Sequence, residues 1–335
     1  MLANRGKARS IMRLTCRDLV ADDVGRCFHS ACGGTFYDIY KQGLSADALR
    51  AWIQLIEAGA ITGDVLEDLD RPPQSRIVGV GAGAFVTDDF VREAESTMPP
   101  FMRAQLIERV LTGRSPVLTG RDVRSCKSPL NLVILTGTME KPDLTSRELR
   151  EVRNRGIEAG LARFRSYPLK SWLSEFYDPE QRAMFEASGL TVRRDYSEYF
   201  ALHPPPAGLP KPFLVGVNRE EVASRDGTIF SILFEHAPKR LCFSPAEQSL
   251  LRDALRGDTD EECAIHLDVS LSAVKKRWSG IYDRVAAADP NLLPDGSSES
   301  GDRLRSREKR RHLLNYLREH PQEIQPNVPS HSMGV

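Results

Sequence analysis

The chain has 335 residues, which is too long for one ordinary domain and predicts two domains with a tail. Its 46 Lys and Arg residues balance 46 Asp and Glu residues, which excludes a protein that coats nucleic acid with its whole surface. With 41% hydrophobic residues and no apolar run near the roughly 20 residues of a membrane span, we expect a soluble, cytoplasmic protein that contacts no membrane.

The six cysteines show no paired framework, which predicts reduced thiols rather than disulfides. Cys27, His29 and Cys32 come nearest to a metal site, but no second ligand pair follows at zinc-finger spacing. We therefore predict no metal and no resident cofactor, and we assign no catalytic residue.

The first 200 residues predict strands interleaved with helices, so the expected fold class is α+β with a mixed α/β N-terminal domain. Strands are predicted at 12–17, 76–86, 131–137 and 190–200, and helices at 21–31, 45–59, 102–111, 145–166 and 179–187. The glycines within 76–86 have two interpretations: packing relief in a buried strand, or a pocket beside it.

Residues 11–200 resemble the GCN5-related N-acetyltransferase fold in the strand–helix opening, the VGVGAGAFV strand, the long helix and the closing segment 184–190. The resemblance implies that a Gln/Arg-x-x-Gly-x-Gly/Ala loop at a helix N-terminus holds the acetyl-CoA pyrophosphate. Residues 136–145 lack this motif and include Glu140 and Asp143. We therefore predict a domain that senses a small-molecule or protein ligand, with an acetyl-CoA-dependent N-acetyltransferase as the alternative.

A proline-rich segment divides the chain, because five prolines within 203–212 predict a stiff extended connector. Two further strands are predicted at 213–217 and 228–234, where they either complete the sheet or form a small docking element. The predicted organisation is an α/β domain at 1–202, a linker with a short β element at 203–240, a helical domain at 241–320 with an inserted loop at 286–302, and a disordered tail at 321–335.

Residues 243–285 predict three helices. Ser244 and Glu247 form a capping box, Gly257 suits a left-handed stop, and Thr259 or Asp260 begins a second short helix. After a tight turn Ser270 caps a third helix, whose basic residues lie on the face opposite its apolar ones. This arrangement predicts a helix-turn-helix whose second helix enters the major groove of double-stranded DNA.

The same segment resembles the LuxR-type (GerE) DNA-binding domain of bacterial transcriptional regulators. The matching positions are Phe243-Ser244-Pro245, Glu247, Leu250-Leu251, Gly257, Glu262-Cys263-Ala264, Leu267, Val269-Ser270 and Ala273-Val274-Lys275. The resemblance implies DNA binding, transcription regulation and a homodimer on paired half-sites. Lys275, Lys276, Arg277 and Ser279 are the predicted DNA contacts, although Arg277 stands where the family usually has His.

A second basic segment follows at 303–311, with six bases and one acid. It is either a phosphate clamp, in which Arg307, Lys309, Arg310 and Arg311 contact DNA, or a solvated helix start. Residues 258–268 contain five acids and neither Lys nor Arg, which should weaken non-specific DNA affinity. A helical interaction module without DNA contact is therefore the remaining alternative.

Overall fold

The computed structural model describes residues 12–30, 45–136, 144–165, 167–177, 179–204, 211–225, 227–235, 239–294 and 302–325. They form two compact units. The sheet unit contains most of residues 1–234, and the helical unit most of residues 235–335. The predicted α+β class is confirmed by a seven-stranded mixed sheet with many helices. Within these residues, no helix combines the length and apolar character that crossing a bilayer requires.

The sheet unit alternates strands and helices along the chain. Its elements are β1 (Leu14–Asp18), α1 (Asp23–Ser30), α2 (Ser45–Glu57), β2 (Ile61–Asp68), β3 (Ile77–Val86), α3 (Asp88–Ser96), α4 (Met102–Leu111), α5 (Gly120–Ser125), β4 (Leu130–Thr136), α6 (Ser146–Phe164), β5 (Leu169–Phe176), α7 (Pro179–Ala187), β6 (Thr191–Arg194), α8 (Ser197–Leu202), β7 (Phe213–Asn218), α9 (Arg219–Ala223) and α10 (Ile229–Phe234). The strand order is β1-β2-β3-β4-β5-β7-β6. Every neighbouring pair is antiparallel except β4 and β5, which run parallel.

Two glycines of β3, Gly79 and Gly83, make room for the packing of α6 on the sheet. A Cβ atom on Gly79 would lie 3.1 Å from Val152 Cγ1, and one on Gly83 would lie 3.1 Å from Phe164 Cζ. Both distances are tighter than ordinary van der Waals contact. The structure therefore supports the packing-relief interpretation for Gly79 and Gly83, whereas a Cβ atom on Gly81 would have no atom within 4 Å.

The end of the sheet unit differs from the sequence prediction in two ways. The segment 228–234, predicted as a strand, contains the helix α10, which buries Phe230, Leu233 and Phe234 on one face. A short apolar run fits a buried strand and a buried helix equally well, so its pattern does not decide between them. The sheet unit also extends to Phe234 rather than ending at residue 202, because β7 pairs with both β5 and β6.

Other features of the sheet unit also differ from the predicted elements, among them the strands β2 and β5, which were not predicted. The strand predicted over 190–200 is shortened to β6, since Tyr196 takes a left-handed backbone conformation (φ 57°) and α8 begins after it. The connection between β3 and β4 contains α3, which was not predicted although Thr87 caps its start. It also contains the short helix α5.

The helical unit consists of α11 (Pro245–Arg256), α12 (Asp260–His266), α13 (Leu271–Ala288), α14 (Asp302–Glu319) and a 3-10 turn (Pro321–Ile324). Ser244 and Glu247 form the predicted capping box, and Gly257 ends α11 with φ 100°. Thr259, rather than Asp260, caps α12. The core of the helical unit is built from Leu241, Phe243, Leu250, Leu251, Cys263, Val274, Trp278, Ile281, Val285, Leu313 and Leu317.

Residues 321–325, predicted as part of a disordered tail, are ordered in this unit. The fully buried Glu323 carboxylate accepts hydrogen bonds from the backbone N–H groups of Arg240 at 2.9 Å and Leu241 at 3.0 Å. These partners are distant in sequence, so no local pattern reveals the contact. Residues 326–335, and 295–301 of the predicted inserted loop, lie outside the described residues.

Candidate functional site

The parallel strands β4 and β5 separate at their carboxyl ends. Their last paired residues are Ile134 and Ser174, yet β4 continues to Thr136 and β5 to Phe176. Each strand keeps its outer partner, because Thr136 still pairs with β3 and Phe176 with β7. The sheet therefore opens at the carboxyl ends of its parallel pair, which is where open α/β sheets place ligands.

Glu175 lies at this opening and is fully buried. Its Oε1 accepts a hydrogen bond from the backbone N–H of Phe101 at 2.8 Å, and its Oε2 accepts one from the Tyr177 hydroxyl at 2.9 Å. Burial raises the pKa of this carboxyl above its usual range, against the lowering effect of these donors and of the nearby Arg103 charge. No element was predicted over Leu169–Phe176, and Glu175 was not singled out from the sequence.

The start of α4 lies against the opening. Arg103 Nη2 donates to the backbone carbonyl of Glu175 at 2.9 Å, one residue beyond the last β4–β5 pair. Phe101, at the N-cap of α4, has a left-handed backbone (φ 71°), and its ring stacks on Tyr177 with centroids 6.3 Å apart. The β3–β4 connection is therefore held on the sheet where the strands separate.

Tyr196 adds a second buried polar group to this region. Its side chain is buried, and its hydroxyl has no well-formed hydrogen bond among the described residues. Burial, and next the charge of Glu175, raise the pKa of the hydroxyl. The Arg194 guanidinium lies 4.7 Å from the Tyr196 ring centre. Left-handed backbone at Phe101 and Tyr196, together with a buried carboxyl, is the kind of local cost that proteins retain at functional sites.

The loop that would carry the acetyl-CoA pyrophosphate motif lies outside the described residues from 137 to 143. After it, Thr145 caps α6 through a capping box with Glu148. The Glu148 side chain therefore takes up the N-cap backbone N–H at the start of this helix.

The predicted DNA contacts of α13 occupy one surface of the helical unit. Lys275, Lys276 and Ser279 are exposed, and Arg277 is half-buried. The opposite face of the helix enters the core through Val274, Trp278, Ile281 and Val285. Ser270 caps the helix by accepting from the N–H of Ala273. The structure thus displays three of the four predicted side chains to solvent, and their contact with DNA stays a prediction.

The basic residues of α14 divide into two groups. Arg310 points into the unit, where Nη1 lies 2.7 Å from Asp260 Oδ1 and the guanidinium lies 4.5 Å from the Trp278 ring centre. Arg307 and Arg311 are exposed, and Lys309 is half-buried. Of the predicted phosphate contacts, Arg310 is therefore engaged inside the protein, whereas Arg311 is accessible.

Two groups of side chains bear on metal binding. Cys27 is buried in α1, but the His29 side chain and Cys32 lie outside the described residues. In the helical unit, Asp253, Asp258 and His266 bring ligand atoms within 4.8 Å of one another. A contact of 3.2 Å between His266 Nδ1 and Asp258 Oδ2 joins two of these three side chains.

No protein-family model and no curated protein matches the chain, whereas 28 solved chains match it. A mosquito arylalkylamine N-acetyltransferase like 5b is 11% identical, with TM-score 0.34, 61% of this chain covered and 99% of the other. Chaetomium thermophilum Naa20 in complex with a bisubstrate analogue is 15% identical, with TM-score 0.33 and coverages of 64% and 91%. The Escherichia coli GNAT family N-acetyltransferase YhbS in complex with CoA is 13% identical, with TM-score 0.32 and coverages of 66% and 90%. These three acetyltransferases are distant structural likenesses of the chain.

Proposed function

We propose that the helical unit binds double-stranded DNA with α13 in the major groove, and that the chain is a transcriptional regulator whose sheet unit senses a ligand. The observation that carries this proposal is the pair α12 and α13, joined by the four residues 267–270 and individually capped. In the turn Asp268 takes a left-handed conformation (φ 51°). A short helix, a tight turn and a second helix with a solvated basic surface are the elements of a helix-turn-helix.

The side chains of α13 suit base and phosphate contacts. Lys275, Lys276 and Ser279 lie at helical positions i, i+1 and i+4, on neighbouring parts of one face. Lys donates to guanine acceptors or phosphates, and Ser donates or accepts at base edges. The start of α12 carries Asp260, Glu261 and Glu262, which repel phosphates, so sequence recognition depends on α13.

The test is a selection of duplexes from a random-sequence pool by the purified full-length chain, followed by affinity measurement on the selected duplex. We expect Lys275→Ala with Lys276→Ala to remove the preference for that duplex over a scrambled one, because the double variant lacks the base-edge donors. The matched control is Arg92→Ala with Arg155→Ala, two exposed helix positions of the sheet unit. Selection of no common sequence, or an unchanged preference in the Lys variant, would refute the proposal.

A second candidate function is acetyl-CoA-dependent N-acyl transfer by the sheet unit, and the opening between β4 and β5 favours it. An acyl thioester placed along the free edge of β4 would find backbone groups at Leu135 and Thr136 that have no partner on β5. Isothermal titration with acetyl-CoA, and release of free CoA in the presence of a primary amine, test binding and turnover separately. Saturable binding without CoA release makes the sheet unit an acetyl-CoA sensor, whereas release makes it an enzyme.

A further inference from the structure

The helix α14 carries a basic groove, and none of the residues that line it is a predicted DNA contact of α13. Over Asp302–Glu319 the sequence has seven Lys and Arg residues against three acids. Five side chains line a concave surface of about 330 Å³: Arg307, Arg310, Arg311, Leu314 and Arg318. We call this surface the arginine groove.

The groove follows one side of α14. Its residues recur at steps of three and four, which places them in a row along the helix. Arg307, Arg311 and Arg318 are exposed, and Arg318 is positioned by donating to Asn315 Oδ1 at 2.7 Å. Arg307 and Arg318 are separated by eleven residues, or roughly 16 Å of helix. Three accessible positive charges spread over this length suit an extended polyanion better than a single phosphate ion.

We propose that the arginine groove binds the phosphate backbone of a DNA duplex. One strand presents a phosphate about every 3.4 Å along the duplex axis, so several consecutive phosphates match the length of the groove. Arginine is suited to this role because its planar guanidinium donates two parallel hydrogen bonds to a phosphate. The half-buried Leu314 gives the groove an apolar floor between the charged side chains.

Arg310 positions the groove instead of contacting phosphate. Its guanidinium joins α14 to Asp260 at the start of α12 and to Trp278 on α13. Trp278 also donates from Nε1 to Asp260 at 3.2 Å, which closes a three-residue cluster. This inference rests on the proposed DNA binding and deepens it: α13 would read sequence, whereas the groove would supply affinity that is independent of sequence.

The experiment measures binding of the full-length chain to a mixed-sequence duplex of 40 base pairs, between 50 and 200 mM salt. For the variant Arg307→Ala, Arg311→Ala, Arg318→Ala we expect at least about tenfold weaker binding and a salt slope flatter by about 2.7, since about 0.9 counterions are released per phosphate neutralised. Replacing the same residues with Lys should restore the slope, because the charges remain. The control is Arg50→Ala, Arg92→Ala, Arg155→Ala, three exposed arginines of the sheet unit.

The outcomes separate this inference from the proposed function. Unchanged affinity and slope in the arginine-groove variant would overturn the inference, while a loss of sequence preference in the Lys275 and Lys276 variant would leave the proposed function standing. The selection could yield no common sequence while the arginine-groove variant still loses its salt-dependent duplex binding. This result would support phosphate binding by the groove and refute sequence recognition by α13. Loss of binding to phosphatidylserine vesicles with unchanged duplex binding would assign the groove to a lipid surface and overturn the inference.

Discussion

The two units each hold a distant segment of the chain with a fully buried glutamate. In the sheet unit, Glu175 binds the N–H of Phe101 and so fixes the β3–β4 connection at the opening between β4 and β5. In the helical unit, Glu323 binds the N–H groups of Arg240 and Leu241 and so fixes residues 239–241 to the C-terminal turn. Both carboxylates hold backbone at or beside a left-handed residue, Phe101 in one case and Cys242 in the other.

The difference lies in what surrounds each carboxylate. Glu175 accepts hydrogen bonds from the backbone N–H of Phe101 and the Tyr177 hydroxyl, with the Met102 N–H as a further backbone donor, and it lies beside the buried Tyr196 hydroxyl. Glu323 is held by two consecutive backbone N–H groups, with the Tyr316 hydroxyl at 3.4 Å. Because consecutive backbone donors hold both carboxylates, each one is a clamp that fixes a distant segment of its own unit. Glu175 differs in its position, because it lies at the carboxyl end of a parallel strand pair and next to a second buried polar group, which is where a ligand would bind.

The largest expected effect is that of Glu323→Ala. It leaves two buried backbone N–H groups without their acceptor, which should cost about 3 kcal/mol of unfolding free energy. Hydrogen exchange should increase in α11 and α14 and stay unchanged in β4 and β5. Glu319→Ala, at an exposed position of α14, is the matched control. Equal loss of protection in the sheet unit would contradict the description of Glu323 as a clamp within the helical unit.

The second prediction concerns Glu175→Gln, which keeps the shape of the side chain and removes its charge. The native pKa of Glu175 is raised, so the native state binds more protons than the unfolded state above the ordinary glutamate pKa, and wild-type stability falls as pH rises through this range. The Glu175→Gln variant has no titratable group at this position, so its stability does not fall with pH for this reason. We expect its stability relative to wild type to increase from pH 5 to pH 8, by on the order of 1 kcal/mol.

Urea unfolding at several pH values measures this difference, and exposed Glu108→Gln is the control. A difference between Glu175→Gln and wild type that does not change with pH would contradict the raised pKa. If acetyl-CoA binds the sheet unit, its affinity for the Glu175→Gln variant shows whether the carboxylate serves the ligand as well as the fold.

The sequence predicted the helical unit more fully than the opening in the sheet, because the two depend on different distances along the chain. Ser244 caps α11 through Glu247, three residues away, and Gly257 ends the same helix. Such signals are local and can be recognised in one sequence. Glu175 and Phe101 are 74 residues apart, and Glu323 and Arg240 are 83 apart. No spacing rule connects them, so both carboxylates were missed.

The error at α10 has another cause. The segment TIFSILF is apolar and rich in β-branched and aromatic residues, which favour a strand. In the structure Ile229–Phe234 is helical and has Phe230, Leu233 and Phe234 buried. Tertiary burial therefore outweighed local propensity in a segment too short to show a clear period.

The smallest expected effect tests the backbone beside the Glu323 clamp. Cys242 is exposed and has φ 46°, a conformation that costs a residue with a Cβ atom roughly 1 kcal/mol. Cys242→Gly removes that cost without loss of packing, although glycine gains entropy in the unfolded chain, so we expect a net stabilisation of about 0.5 kcal/mol. Cys242→Ala keeps the strain and should leave stability unchanged. If Gly and Ala behave alike, the left-handed residue is not strained and Glu323 holds an already favourable turn; if Gly alone stabilises, the clamp imposes the conformation on the chain.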